Sequence, residues 1–423
     1  MFKLFRRETK PTWFHDYDGY KKSYVDLEND YNLILSKNFK QSLNANLNHN
    51  ILLISDNLHK IEDFFLANLL QANGSYVVLD NSAGMYKHKT LPFFNYKCYI
   101  VKTFGYLYED SKYCYNPFAY IESVDDIKEM VDLIFENVSY GAADKFFMDT
   151  MKLFFHIACL YVYESKLYPN PTLMDVVDIY QEFGKDTMKD KMLELELKWL
   201  NSKAVHYYKV VKDYKKSDVE QLVDAFNETQ IAQMLQKTEV REMLSRDTLN
   251  LKGLSVNKQI LYIQAGQLGF LATTLLAHAA KEIKKNNDKN EANRHVQFIL
   301  PNPYKDGGDD LILDTIHKIN DEKRASQLSF LAKISNKEGI HRSLTNSHLF
   351  DTIIYRDGCK KSDVNFLSFL LLKSENLLSE DELVEFPASE CLIFINGLNP
   401  IRDAEYQLSS HQYYKTLGGR SCS

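Results

Sequence analysis

The stretch GSYVVLD, residues 74–80, sets four apolar side chains in succession, Tyr76 to Leu79, with no polar residue between them. A strand with one wet face alternates apolar and polar side chains; a strand without alternation is covered on both faces. That coverage calls for helices above and below a mostly parallel sheet, so this run narrows the fold class sharply. NILLI (50–54), KCYIVKTF (97–104), KQILYIQ (258–264), HVQFILP (295–301), DTIIYRD (351–357) and ECLIFING (390–397) read as further strands. Residues 58–71 read as a helix after the first of them. YNPFAYI (115–121) reads as a turn, because Pro117 fixes its own φ and biases Asn116 towards an extended backbone.

Residues 123–245 have a different texture. SVDDIKEMVDLIFENV opens with a serine cap and an acidic first turn, then carries apolar residues at helical spacing. Five further segments continue that period with hardly a Gly or Pro to break it. The reading is an α/β fold interrupted by an inserted all-α domain: residues 1–122 form its first part, 123–245 the insertion, and 246–423 the remainder with a C-terminal tail. A length of 423 residues suits two or three domains better than one core.

Composition excludes several function classes. With 51 Lys and Arg against 57 Asp and Glu the chain is net −6, which gives no electrostatic basis for broad nucleic-acid binding. The six cysteines form no C-x-x-C pair and no zinc-finger spacing, as expected of free thiols in a reducing compartment and of no metal site. MFKLFRRETK lacks the apolar core of a signal peptide. The uncharged window at 261–280 has the length of a membrane span. Its Gln264, Gln267 and His278, and Gly266 after a strand-like run, favour a strand, a turn and a buried helix instead.

Several stretches in order resemble one family. LLQANGSYVVLD (69–80) is similar to the strand after the phosphate loop in TraG/TraD-type coupling proteins of conjugative type IV secretion systems. YNPFAYI, AVHYYKVVK (204–212), DTLNLKGLSVNKQILYI (247–263), HVQFIL (295–300) and ECLIFINGLNP (390–400) with YQLSSHQYY resemble later segments of the same family. The resemblance covers nearly all of the chain from about residue 20. It implies a RecA-like sheet of the P-loop NTPase type interrupted by an all-α domain. It also implies hexameric ring ATPases that bring a relaxase–DNA complex to the secretion channel and pump single-stranded DNA.

Set against that family, the chain lacks the residues of hydrolysis. A phosphate loop, G-x-x-x-x-G-K-[ST], uses glycines to turn backbone N–H groups towards phosphates, a lysine for charge and a hydroxyl for Mg²⁺. After ILLI the chain continues SDNLHKIEDFF (55–65). In one register the lysine falls on Ile61 and the hydroxyl on Glu62; in the other they fall on Lys60 and Ile61. Asn57 lies within the same degenerate loop, and neither register restores a glycine or a Ser/Thr. A helix start capped by Ser55 or Asp56 accounts for the stretch. The Walker B acid and base positions hold Pro301 and Asn302, and Asp306, Asp309 and Asp310 follow in an acidic loop. The DPKGE motif of relatives appears as DNSAG: Asp80 is kept, while Ser82 and Gly84 replace the Lys and Glu. Leu331 or Ala332 stands where a sensor-type Gln is expected, and Asn396 where a basic residue is common.

The expectation is therefore a catalytically inactive homologue, not an enzyme, with no nucleotide or metal cofactor. It is expected to be cytoplasmic, peripheral to the membrane through a secretion complex, and without the family's N-terminal membrane helices. Its expected partners are relaxosome components, an active coupling ATPase or a channel component, with DNA binding weak at most and a monomer or small oligomer in solution. The alternative is an active single-stranded DNA translocase with a divergent ATP and Mg²⁺ site drawing on Lys60 and on Asp80, Asp306 or Asp309. A third reading is a non-catalytic nucleic-acid binder using YKKS, KDYKK and RDGCKK.

Overall fold

The structure, a computed structural model, describes residues 13–28, 31–45, 47–55, 57–80, 84–105, 112–136, 145–264, 266–289, 294–301, 328–334, 349–356, 378, 382 and 385–418. The chain opens with α1 (Tyr17–Tyr24), β1 (Asn32–Ile34), β2 (Lys40–Ser42), β3 (Ile51–Ile54) and α2 (Leu58–Leu70). Next come β4 (Ser75–Leu79), α3 (Met85–Tyr96) and β5 (Ile100–Phe104). A helical run follows: α4 (Val124–Glu136), α5 (Lys145–Glu164), α6 (Leu173–Tyr180) and α7 (Asp186–Lys198). It continues with α8 (Lys203–Val211), α9 (Lys216–Asn227), α10 (Gln230–Leu235) and α11 (Thr238–Leu244). The chain then forms β6 (Gln259–Ile263), α12 (Gly269–Asp288), β7 (Val296–Leu300), β8 (Leu328–Ile334), β9 (Thr352–Arg356), β10 (Glu390–Ile395) and β11 (Ile401–Ala404).

The strands form a sheet in the order β11-β10-β9-β3-β8-β7-β4-β6-β5, and β1 and β2 form a separate antiparallel pair. β9, β3, β8, β7 and β4 are parallel each to the next, while β10 is antiparallel to both β9 and β11. Every residue of β3, β4, β6, β7 and β9 is buried, as the missing alternation in their sequences requires. All seven strands expected from the sequence are present. β8 is an addition, and it lies between β3 and β7, where the sequence gives only SQLSFLAKIS.

Two compact units share the chain. One comprises residues 1–101, 253–262 and 283–423, and the other 102–252 and 263–282. In the first, α2 presents Ile61, Phe64, Phe65, Leu69 and Leu70 to the core. The fully buried Asn68 on that helix accepts from Ile34 N at 2.8 Å and donates to Ile34 O at 3.1 Å, so one carboxamide pairs with the backbone of β1. α3 contains Pro92, whose missing N–H leaves His88 O without its helical partner. The C-terminal tail docks there: Gly418 N donates to Lys89 O at 2.7 Å, and a Cβ on Gly418 would lie 2.6 Å from His88 O.

The second unit is built around α5, which packs against α4, α6, α8 and α9. Its centre is aromatic, with Tyr180 and Phe226 rings 4.3 Å apart and Phe155 5.6 Å from Phe226. The serine cap expected before α4 is in place: Ser123 Oγ accepts from Asp126 N at 3.2 Å, and Asp126 Oδ2 accepts from Ser123 N at 2.9 Å. Among the described residues α5 alone is long and apolar enough to cross a bilayer by length and composition. More than half of it is buried within this unit, as in the core helix of a soluble domain. The window 261–280 divides between the end of β6, a turn and the start of α12, the strand–turn–helix arrangement expected for it.

Candidate functional site

In a parallel α/β sheet, ligands bind in the crevice outside the carboxyl ends of the strands. Here that edge carries Ser55 after β3, Asp80 after β4, Pro301 after β7 and Arg356 at the end of β9. The crossover from β3 to α2 takes three residues, 55–57. The cap of α2 is Asn57, not Ser55 or Asp56: its Oδ1 accepts from His59 N at 3.1 Å and Lys60 N at 3.4 Å. Ser55 is buried and its Oγ accepts from Asn57 N at 3.2 Å. Ser, Asp and Asn are near-equal caps, so the sequence alone does not rank them. The third is selected because β3 needs all of 51–54 in the sheet and the chain must still turn back over it. Asp56 lies outside the described residues.

An early helix start changes what the loop positions do. Lys60, Ile61 and Glu62 all belong to the first two turns of α2. Lys60 Nζ donates to Ala388 O and forms an ion pair with Glu405 at 3.1 Å. Ile61 is 4% exposed and packs in the core. Glu62 pairs with Lys89 of α3. Asp80 is fully buried, and its Oδ2 accepts from Lys87 N at 2.9 Å, holding the first turn of α3. Gly84, in place of the family's acid, takes the left-handed conformation at φ 78° just before that helix.

The groups around this face carry both signs of charge. The Tyr86 hydroxyl is buried and pushed well above its ordinary pKa, by burial first and then by Glu62, Asp80 and Asp63. The Asp63 carboxyl is raised by burial and by Glu62, with Arg356 opposing. Glu62 is balanced by Lys89, and Arg356 and Lys89 act on Asp63 as well. Arg356, the first residue of the RDGCKK cluster offered above for nucleic-acid contact, is instead 1% exposed and lies 5.0 Å over the Phe64 ring. Its Nη2 donates to Leu35 O at 3.3 Å and its Nη1 reaches Lys60 O at 3.5 Å. Its place at the end of an apolar strand is the sequence signal for that burial.

Of the remaining positions, Pro301 is buried at the end of β7, while Asn302, Asp306, Asp309, Asp310 and Ser82 lie outside the described residues. Leu331 and Ala332 are buried in β8, paired with Ile51 and Leu52 of β3. Asn396 donates through Nδ2 to Asp351 Oδ1 at 3.3 Å and through its backbone N–H to Asp351 O at 2.8 Å. The structure thus gathers Lys60, Ile61, Glu62 and Asp80 around the start of α2 and α3, and sets Asn396 apart from them. Among the described residues no group of three His, Cys, Asp or Glu side chains is arranged to hold a metal.

The topology, with β8 between β3, which leads into the phosphate-loop position, and β7, which leads into the Walker B position, is that of a RecA-like P-loop NTPase core. Solved structures agree. The conjugative coupling protein TrwBΔN70 with sulphate is similar at TM-score 0.62 and 11% identity, over 96% of this chain and 95% of that one. TrwB in complex with ADP and Mg²⁺ gives TM-score 0.62 and 11% identity over 99% and 98%. VirB4 of Thermoanaerobacter pseudethanolicus gives 0.53 and 10% over 93% and 100%. Comparison with curated proteins gives no match. The family model for type IV secretory system conjugative DNA transfer matches residues 39–301, more than half of the chain. The chain belongs to that family, as its resemblance to the TraG/TraD-type coupling proteins implies.

Proposed function

We propose that this chain is a non-hydrolysing member of the coupling-protein family that serves conjugative DNA transfer as a binding or accessory component. The observation that carries the reading is the helical start of α2 at Leu58, only three residues beyond β3. A phosphate loop keeps the residues before its Gly-Lys pair out of the helix, so that their N–H groups wrap the phosphates; here the two residues before Lys60 are already wound into α2, and Asn57 takes the amides of His59 and Lys60. The groups that would meet a nucleotide are committed elsewhere, Lys60 to Glu405 and Glu62 to Lys89. A translocase relying on Lys60 and Asp80 would have to break the first of these contacts and the Asp80–Lys87 bond.

In this reading the protein is cytoplasmic, a monomer or small oligomer, and works through protein partners: a relaxosome component, an active coupling ATPase or a part of the secretion channel. Calorimetric titration with ATP·Mg²⁺ and phosphate release with and without single-stranded DNA test it. No heat of binding and no phosphate release are expected. Micromolar binding, DNA-stimulated hydrolysis or an ATP-dependent hexamer by light scattering would each overturn it.

A further inference from the structure

Residues 405–418 follow β11 and form no helix or strand, only two short 3₁₀ turns, Leu408–Ser410 and Tyr414–Thr416. They lie as a strap over α2 and α3. The first turn packs on α2 and the second on α3. Glu405 pairs with Lys60 at the start of α2, and at the other end Gly418 N donates to Lys89 O of α3. Between these anchors Leu408 and Leu417 are buried, and the Tyr413 ring lies 5.2 Å from that of Phe93. Lys97 Nζ donates to the Tyr413 hydroxyl at 2.7 Å and stands 4.0 Å over its ring.

In the middle of the strap sits His411, which is 5% exposed. Its two ring nitrogens have different neighbours, and together these fix its tautomer. Gln71 Nε2 donates to Asn32 O at 2.9 Å, so Gln71 presents its Oε1 to His411 Nε2, 3.2 Å away. A carboxamide oxygen only accepts, so Nε2 carries the proton. Nδ1 accepts from Tyr413 N at 3.1 Å, so Nδ1 carries none. Only the neutral ring meets both contacts. An imidazolium would set a second N–H against the Tyr413 N–H and take away that amide's acceptor.

Among the described residues the titratable groups beside this ring are the Tyr406 and Tyr413 phenols of the strap, with ring centres 6.3 and 5.9 Å away. From α2 comes the neutral Gln71, and from α3 the Lys97 cation, which reaches the ring's neighbour Tyr413. The strap's own carboxylate, Glu405, is engaged by Lys60.

We propose that the strap is a pH-operated latch: a proton on His411 Nδ1 unseats residues 405–418 from α2 and α3. The proton comes from solvent and takes the lone pair that the Tyr413 amide occupies in the seated strap. The seated strap holds one proton fewer than the released one, so acid favours release. The latch is closed above about pH 6.5, where a free imidazole is neutral, and loosens as the pH falls below it. Release bares the face of α2 and α3 on which Leu408 and Tyr413 are seated. The inference is independent of whether the chain binds a nucleotide.

Hydrogen exchange of the full chain between about pH 7.5 and 5.5 tests this, each rate being divided by the intrinsic rate at the same pH. Protection of peptides within residues 406–418 is expected to fall about tenfold over that range, as the uptake of one proton by the released strap requires. His411→Asn offers an oxygen to the Tyr413 amide and has no proton to gain, so its strap should be protected equally at both ends of the range. Should that substitution unseat the strap at every pH, NMR of the histidine-labelled wild type decides. The resonance that the variant lacks must then titrate together with the loss of protection. Wild-type protection that stays flat with pH would overturn the proposal. So would a fall of the same size in a seated His411→Asn chain, or a His411 ring that titrates with no loss of protection.

Discussion

Truncating Asn57 to alanine removes the acceptor that holds the His59 and Lys60 amides at 3.1 and 3.4 Å. Loss of such a cap costs about 1 kcal/mol, whereas Gly at the same position costs only a few tenths. A difference of that size opens the first turn of α2 roughly fivefold more often in the alanine variant. Hydrogen exchange on peptides spanning residues 57–66 reads this locally, which matters because a chain of two units need not unfold in one step. The expected order of exchange rates is alanine fastest, glycine close to wild type, and aspartate no faster than wild type, since a carboxylate caps and also favours the helix N-terminus. The glycine variant also bares both amides without straining the backbone, yet it should gain no ATP·Mg²⁺ affinity, because Ile61 and Glu62 still stand in the lysine and hydroxyl positions. Equal exchange in the alanine and wild-type proteins would refute the role given to Asn57. Micromolar nucleotide binding by the glycine variant would refute the larger argument.

Three further outcomes follow from burial and pairing. Ile61→Lys, which rewrites the family's lysine in one register, removes a core side chain worth about 2–3 kcal/mol and sets an ammonium in its place; a large fall in thermal midpoint is expected, and a neutral effect would show that Ile61 does not face the core. His49 is buried, and burial lowers its pKa from 6.5 to about 4 against the opposing pull of Asp351. The folded state resists protonation more than the unfolded state, so this contribution is complete above pH 6.5 and is lost as pH falls towards 4. The loss is on the order of 3 kcal/mol over the window, and His49→Gln should flatten that part of a urea-midpoint profile. Asn68→Ala strips both backbone partners from Ile34 and should cost about 2 kcal/mol or more in the stability of the first unit, read by urea unfolding.

The sheet was legible because its strands are buried on both faces and so stand out as unbroken apolar runs. β8 was not, since LSFLAKI mixes Ser329 and Lys333 into its run; Ser329 is tolerated because its hydroxyl meets His295 Nε2 at 2.8 Å. α3 was hidden by Pro92, a residue that ordinarily ends a helix and here marks the seat of the C-terminal tail. In the N-terminal segment Asn32, Gln41 and Ser42 carry no sign of burial in their residue types, yet all three are buried. At the site, the missing glycines and hydroxyl could be read directly as residue identities. What fills their place could not, because the partner of Lys60 lies 345 positions away at Glu405.

On the non-hydrolysing reading proposed above, those replacements bear on how a fold of the nucleotide-binding type persists without its ligand. In a phosphate-loop protein the ligand satisfies helix-start amides and balances a lysine, so removing it leaves donors and charge exposed. Here Asn57 takes the amides, Glu405 takes Lys60, Lys89 takes Glu62, and the Lys87 amide takes Asp80. Stability should then be uncoupled from nucleotide concentration. A protein binding ATP with ligand at a hundred times its Kd gains about 2.7 kcal/mol, which a thermal scan registers plainly. For this chain, millimolar ATP·Mg²⁺ should leave the melting curve where it stands, and Glu405→Gln, which releases Lys60, should lower the midpoint without making it respond to nucleotide. A midpoint that rises with ATP in either protein would mean that the site still pays its way through a ligand.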